Sequence, residues 1–421
     1  MNYTALSKDQ LEVLLESERA EYKQIVAQKF NVDIARGKPC TEQLDLAMDM
    51  LGMLSADSDY PKAYRNYGML EGIPEMRELF GQMLGVSAQE VIVGGSSSLN
   101  LMYDTVQRAM QYGVMGNRPW NRYETIKFLC PVPGYDRHFA LTQHFGIEMI
   151  NIPMDDNGPN MDLIEHLVSI DDTIKGIWCV PKYSNPTGIT YSDEVVTRLA
   201  TMQTKAPDFR IFWDNAYCVH ELTDTPDQLA NIMEIAKQAG TQDRIYIFTS
   251  TSKITFAGSG VSCIAASAAN IRDILSHMTY QTISYNKVWQ YMHWLYLRDM
   301  DNVREIMRRQ MQVIAPKFHT ILNALQENFG QDNGIVSWTT PKGGYFISMD
   351  VYPGCAKRVA QLCKQAGLTI TSAGATYPYG VDDADRNLRI APTFTSDEDL
   401  EIATRILVCC VKIAALEQLA V

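Results

Sequence analysis

The sequence predicts an α/β protein with two parts: a large domain built on a mostly parallel sheet flanked by helices, and a smaller α+β domain. Three observations carry this expectation. Short apolar, β-prone runs alternate with amphipathic helical segments between about residues 75 and 270. After about residue 285 the pattern changes to long helix with a few strands. The length of 421 residues also exceeds the roughly 150 of one ordinary domain. The expected division is an N-terminal segment, 1–48, joining the small domain, a large domain over 49–300 and a C-terminal small domain over 301–421.

Taken in order, residues 1–30 place apolar and charged positions at helical spacing, which predicts a helix or arm on the small domain. The loop signal Arg36-Gly37-Lys38-Pro39 ends it. Strands are expected at 91–93, 126–130, 149–152, 174–180, 211–213 and 245–248. Each is short and apolar on both alternating faces, as in a parallel sheet covered on both sides. Helices are expected over 97–112, 135–145, 161–168 and 192–202, the last with Ser192 as N-cap and Asp193 and Glu194 in its first turn. A long helical stretch over 287–329 then leads to strands at 335–338 and 345–351, another helix, and a strand at 388–390. With no internal repeat and no Gly-, Ser- or Pro-rich linker, the two parts are expected to pack closely.

Composition narrows the function. Apolar residues make up 46% and charged residues 20%, a mixture that suits a globular chain and excludes a disordered one. The formal charge of −12 argues against a broad electrostatic grip on nucleic acid or an anionic membrane, so a small ligand is expected. Nine scattered cysteines without a C-x-x-C pair read as reduced thiols, and the seven histidines show no paired metal-ligand spacing. No metal is expected. The acid-rich N-terminus lacks the basic start and apolar core of a signal peptide, and no apolar run is long enough to span a bilayer, so the cytoplasm is the expected location.

In an open parallel sheet, ligands bind at the carboxyl ends of the strands. The strand at 91–93 runs into Gly94-Gly95-Ser96-Ser97-Ser98 and a helix, a source of backbone N–H groups, hydroxyls and helix dipole suited to a phosphate, although such a turn is more often an ordinary cap. The strand at 211–213 ends in Asp214-Asn215-Ala216-Tyr217, a carboxylate and a phenol whose plain alternative is an N-cap and a packed ring. After 245–248 comes Thr249-Ser250-Thr251-Ser252-Lys253, where a solitary lysine would normally be a solvated charge. Asn185-Pro186-Thr187-Gly188 follows another β-run and is acceptable as turn chemistry alone.

The ordered combination is more specific than any member. Tyr67, the Gly/Ser turn, Pro133-Gly134-Tyr135-Asp136-Arg137-His138, N-P-T-G, D-x-A-Y, S-x-S-K and Leu388-Arg389-Ile390 occur in the order of the fold type I pyridoxal phosphate (PLP) enzymes. Over about residues 35–395 the chain resembles the class I aminotransferases. It is most similar to the divergent aspartate aminotransferase subgroup, which has runs like ARGKP, YGMLEGIPEMR, PVPGYDRHF and SKITFAG. The resemblance implies aspartate:2-oxoglutarate transamination by a ping-pong cycle, with pyridoxal 5′-phosphate as cofactor.

Residue by residue, the resemblance makes Lys253 the lysine that joins the cofactor aldehyde and moves the substrate proton, a task that needs an accessible neutral amine. Asp214 would pair with the pyridine nitrogen, Asn185 and Tyr217 with the ring's phenolic oxygen, and Tyr135 would stack on the ring. His138 falls where the family supports that aspartate, with a structural imidazole as the alternative. Gly95, Ser96, Ser97, Ser250 and Ser252 fall at phosphate positions, and Tyr67 matches a tyrosine that reaches the phosphate from the other subunit of a homodimer. Arg389 would grip the substrate α-carboxylate, with Asn185 beside it and Gly37 in the loop that covers the substrate.

Two departures stand out. Where many relatives hold the phosphate with an arginine, this chain has Gly260 and Val261, so the hydroxyls of Ser96, Ser97, Ser98 and Ser259 are expected to compensate. No residue aligns with the arginine that grips a side-chain carboxylate; Arg36, Lys38, Arg65 and Lys287 are the candidates. An aminotransferase of alanine, aromatic substrates or 2-aminoadipate, or a PLP-dependent lyase, would use the same site. A DNA-binding regulator fits poorly with the acidic charge, and a nucleotide-binding α/β protein lacks G-x-G-x-x-G or a Walker loop.

Overall fold

The computed structural model describes residues 1–55, 58 and 61–420. The first helix, α1 (Lys8–Ala27), starts at Ser7, whose hydroxyl accepts from the Gln10 N–H while the Gln10 side chain accepts from the Ser7 N–H. Then come β1 (Val32–Asp33), α2 (Thr41–Asp45) and α3 (Pro74–Leu84). Helix α3 has Pro74 at its first position and ends at Gly85, whose φ of 68° is the left-handed conformation that glycine adopts without a steric cost.

The large sheet holds β2 (Val91–Val93), β3 (Lys127–Val132), β4 (Glu148–Asp155), β5 (Gly158–Pro159), β6 (Ile174–Cys179), β7 (Arg210–Asp214), β8 (Ile245–Ser250) and β9 (Ser262–Ala266). Their order is β2-β9-β8-β7-β6-β3-β4-β5. Strands β8, β7, β6, β3 and β4 are parallel neighbours. Strand β9 runs antiparallel between β2 and β8, and β5 closes the other edge. Helices α4 (Ser98–Tyr112), α5 (Asp136–His144), α6 (Met161–Ile170), α7 (Asp193–Thr201), α8 (Ile232–Ala239) and α9 (Ala268–Met278) lie along the sheet together with α3.

Period-two side-chain alternation builds a core on each face of this sheet. Ile177, Ile211, Trp213 and Ile247 enter one buried cluster, whereas Trp178, Phe212, Tyr246 and Phe248 enter the other. All are buried, as the apolar runs require. The six expected strands are present, and Ser192 caps α7 by accepting from the Val195 N–H.

Helices α3, α8 and α9 and the two-residue strands β1, β5 and β12 (Leu368–Thr369) add to the elements the sequence reading placed, and three further differences have a physical reason. Strand β9 (sequence SCIAA) was not expected, because only Ile264 in it is β-branched and small residues carry no period. The stretch 287–329 is two helices, α10 (Lys287–Leu297) and α11 (Met300–Phe329), not one. Arg298 takes a positive φ of 57° between them and Asp299 caps α11 through the Asn302 N–H. The remaining elements are β10 (Val336–Trp338), β11 (Ile347–Val351), α12 (Ala356–Gln365), β12 (Leu368–Thr369), β13 (Asn387–Ile390) and α13 (Asp397–Leu419). Helix α13 is the third difference. It is apolar nearly all round, so it lacks the polar face that marks a surface helix.

Strands β10, β11 and β13 form a small antiparallel sheet, and β1 pairs in parallel with β12. A third buried cluster joins Leu11, Leu15 and Ile25 of α1 to α13 and to the small sheet, which explains why the N-terminal helix belongs with the C-terminal elements. Helix α11 spans both regions: Val303, Ile306 and Met307 pack with the large sheet, and Ile314, Phe318 and Ile321 with the small one. All nine cysteines are free thiols.

Candidate active site

The carboxyl ends of β2, β3, β6, β7 and β8 lie at one edge of the sheet and open into a cleft of about 760 Å³. The chain passes from β3 to β4 on one side of β3 and from β4 back to β6 on the other, so the strand order reverses there. Tyr135 follows β3 and Asn185 follows β6, which puts them on either side of this crevice. Ser96, Ser97, Asp214, Tyr217, Ser250, Ser252, Lys253, Gly37 and Arg389 line the same cleft. Residues up to 352 positions apart in the chain (37 to 389) are therefore neighbours.

Asp214 ends β7 and is almost fully buried. Its Oδ2 lies 3.0 Å from His138 Nε2, and the imidazole stacks on Trp178 at 4.4 Å and 11°. Trp178 in turn donates to Thr142, which donates to the His138 carbonyl. Asp214 Oδ1 is buried without a hydrogen-bond partner among the described residues. A carboxylate oxygen in that state calls for a donor from a ligand.

The Lys253 ammonium lies 5.1 Å from the centre of the Tyr217 ring and 5.8 Å from that of Tyr345. Burial pulls its pKa below the ordinary 10.5, while the Asp214 carboxylate opposes that shift. Gln43 donates to the Lys253 carbonyl at 3.2 Å and also contacts Gln310 and the Tyr345 hydroxyl, fixing the backbone that carries the lysine. Burial pushes the Tyr217 phenol well up and that of Tyr135 up to about 12, so both stay protonated hydrogen-bond donors near neutrality.

The Gly/Ser turn has the makings of an anion cradle. Ser97 sits at the N-cap of α4 but its side chain makes no capping hydrogen bond, leaving first-turn N–H groups for another acceptor. Ser262 fixes the Gly95 carbonyl from its N–H and its hydroxyl, at 2.8 Å each. Ser252 Oγ donates to the Ser96 carbonyl at 3.0 Å, and Ser250 Oγ contacts Ser252 Oγ at 3.1 Å. Gly95 is not among the residues that line the cleft. The absence of an arginine has a steric cause at 260, where a Cβ would stand 2.8 Å from Ser252 Cα, N and Oγ. Val261 is buried and its N–H bonds to Thr251 Oγ1. Ser259 is exposed and outside the cleft lining, so it does not supplement the cradle as expected.

Arg389, on β13, is 7% exposed and stands over the Phe346 ring at 4.9 Å. Of the four cations considered for a side-chain carboxylate, Arg36 and Lys38 line the cleft and Arg65 and Lys287 do not. Lys287 is buried and donates to the Gly68 carbonyl at 2.9 Å. Tyr67 is 78% exposed on the adjoining loop and lies outside the lining. Sequence reasoning missed the cleft-lining Asp136 and Arg137, although both stand inside the PVPGYDRHF run.

The profile of the family described as aspartate amino-transferase matches residues 6–421. The chain belongs to that family. The enzyme is 46% identical to a putative aminotransferase of Mycolicibacterium smegmatis, over 100% of this chain and 99% of the other. It is 44% identical to an aspartate aminotransferase of Corynebacterium glutamicum, covering 96% and 94%. Among solved structures, an aspartate transaminase from Corynebacterium glutamicum superposes with a TM-score of 0.96 at 41% identity, covering 100% and 99%. The enzyme is thus an aminotransferase with the fold type I architecture.

Proposed function

We propose that this enzyme uses pyridoxal 5′-phosphate to move the amino group of L-aspartate to 2-oxoglutarate, giving oxaloacetate and L-glutamate in a ping-pong cycle. The observation that carries the reading is the buried, unpartnered Oδ1 of Asp214 in a cleft shared with Lys253 and Arg389. A protonated pyridine nitrogen supplies the donor that oxygen lacks, so the residues fit the cofactor. Asp214 would hold that nitrogen, Asn185 and Tyr217 the phenolic oxygen, and Tyr135 the ring face. Gly95, Ser96, Ser97, Ser250, Ser252 and the α4 N-terminus would hold the phosphate.

When bound, the cofactor supplies an electron sink for the charge left at the substrate Cα. The remaining work belongs to the chain. Arg389 orients the substrate through its α-carboxylate, and the lowered pKa of Lys253 makes a neutral amine available to take the Cα proton. Aspartate as donor is supported by the relatives named above. We further assign a homodimer in which Tyr67, exposed in one chain, reaches the partner's phosphate site, and a cytoplasmic location. Among the described residues no helix is long and apolar enough to cross a membrane. The division into 1–48 with 301–421 and 49–300 is supported by the cluster that unites α1 with α13, with α11 shared between the parts.

The test is the visible spectrum of the PLP-loaded protein before and after L-aspartate alone. Conversion of the cofactor band to that of the aminated cofactor, lost in Lys253→Ala, is the expected result. Conversion only by another amino acid would remove aspartate and leave the transaminase; no cofactor band at saturating PLP would overturn the reading.

A further inference from the structure

A guanidinium has five N–H donors, and which of them face a ligand decides how a carboxylate is gripped. In Arg389, Nη1 is fully committed: it donates to Asp136 Oδ1 at 2.7 Å and to Asn185 Oδ1 at 3.3 Å. Nε is buried with no partner, and no hydrogen bond reaches Nη2 among the described residues. The Phe346 ring fixes the plane of the group from one side. The free donors therefore lie along the Nε/Nη2 edge.

We propose that Asp136 is a positioning residue for Arg389: with Asn185 it locks Nη1 and presents the Nε/Nη2 edge to the cleft, so that the substrate α-carboxylate binds side-on. The inference rests on the transaminase reading of Arg389 given above. The geometry argues against the rival role, in which Asp136 stands in for a substrate carboxylate and must be displaced. Asp136 meets a single nitrogen and leaves the two-nitrogen edge untouched. Its backbone is also fixed as the first residue of α5, where a helix N-terminus favours a carboxylate. The Asn185 oxygen is used by Arg389, which leaves the Asn185 amide N–H groups for a ligand deeper in the cleft.

The experiment titrates succinate, an unreactive dicarboxylate, into PLP-loaded wild type, Asp136→Ala, Asp136→Asn and Arg389→Lys, and measures kcat and KM with L-aspartate and with 2-oxoglutarate. Asp136→Ala should weaken succinate and raise both KM values about tenfold, with kcat changed much less. Asp136→Asn keeps an acceptor oxygen and should restore most of the loss. If Asp136→Ala is poorly folded, the comparison of Asp136→Asn with an Asp136→Leu variant of similar size reads the same acceptor. Unchanged or tighter succinate in the variants without an acceptor overturns the proposal, the latter outcome assigning Asp136 as a competitor. If Arg389→Lys also leaves succinate unaffected, the assignment of Arg389 itself has failed, and this inference with it.

Discussion

His138 Nε2 and Asp214 Oδ2 are 3.0 Å apart, both side chains are nearly fully buried, and the imidazole is held there by its stack on Trp178. One oxygen of Asp214 is thus tied to the protein and the other is left without a partner. In the proposed site the pair would divide the labour: the histidine would fix the rotamer of the carboxylate, and the free oxygen would receive the cofactor's pyridine N–H.

Replacing His138 by Phe should keep the ring on Trp178 and remove only the hydrogen bond. A buried hydrogen bond to a charged group contributes about 1.5–3 kcal/mol. The expected outcome is a fall of roughly 10- to 100-fold in PLP affinity or kcat with little change in KM for L-aspartate. A PLP titration followed by steady-state kinetics measures both. Wild-type values in the variant would reduce His138 to core packing.

Much of the site was legible because strand ends are. The apolar runs at 174–180, 211–213 and 245–248 located Asp214 at the end of β7, and Asn185 and Lys253 in the loops that follow β6 and β8, and a parallel sheet brings such ends together whatever the loops do. Contacts made by side chains across the fold were not legible. Asp136 and Arg389 are 253 residues apart, and nothing in their local patterns announces a 2.7 Å ion pair. Gln43 under Lys253 is one of four polar residues in the five-residue α2, so nothing sets it apart in the sequence, and its contacts with Gln310 and Tyr345 exist only after α2, α11 and the small domain have packed. Strand β9 and helix α13 escaped notice for the opposite reason. One has too few β-branched residues and the other too few polar ones to show a period.

Gly260, one of the two positions where the resemblance leads one to expect an arginine, makes its own prediction. A Cβ at residue 260 would press on Ser252 Cα and N, which are backbone atoms that cannot swing aside. Gly260→Ala should therefore cost about 1–3 kcal/mol through overpacking. It should also displace Ser252 Oγ from the Ser96 carbonyl and weaken the hold on PLP phosphate. Urea unfolding of the protein without cofactor gives the first effect, and PLP titration the second. A destabilised variant with unaltered PLP affinity would detach Ser252 from the cradle.

His220 offers a test by pH. It is buried beside Tyr217 and Tyr345, and neither ring nitrogen has a hydrogen-bond partner among the described residues. Burial, reinforced by the positive charge of Lys253, lowers its pKa to about 3 from 6.5. The unfolded chain therefore binds a proton at His220 between those values while the folded chain does not. Stability contributed by the neutral imidazole is present above about pH 6.5 and is lost progressively as pH falls toward 3. At about pH 5 the loss from this one group is about 2 kcal/mol. Urea unfolding of wild type and His220→Gln, at about pH 7.5 and pH 5, isolates it. The Gln variant should lose about 2 kcal/mol less than wild type between the two pH values, whatever its absolute stability. Equal losses in both proteins would mean that His220 becomes protonated in the folded state near its ordinary pKa, and that the burial around Lys253 is less complete than the packing of Tyr217 and Tyr345 requires.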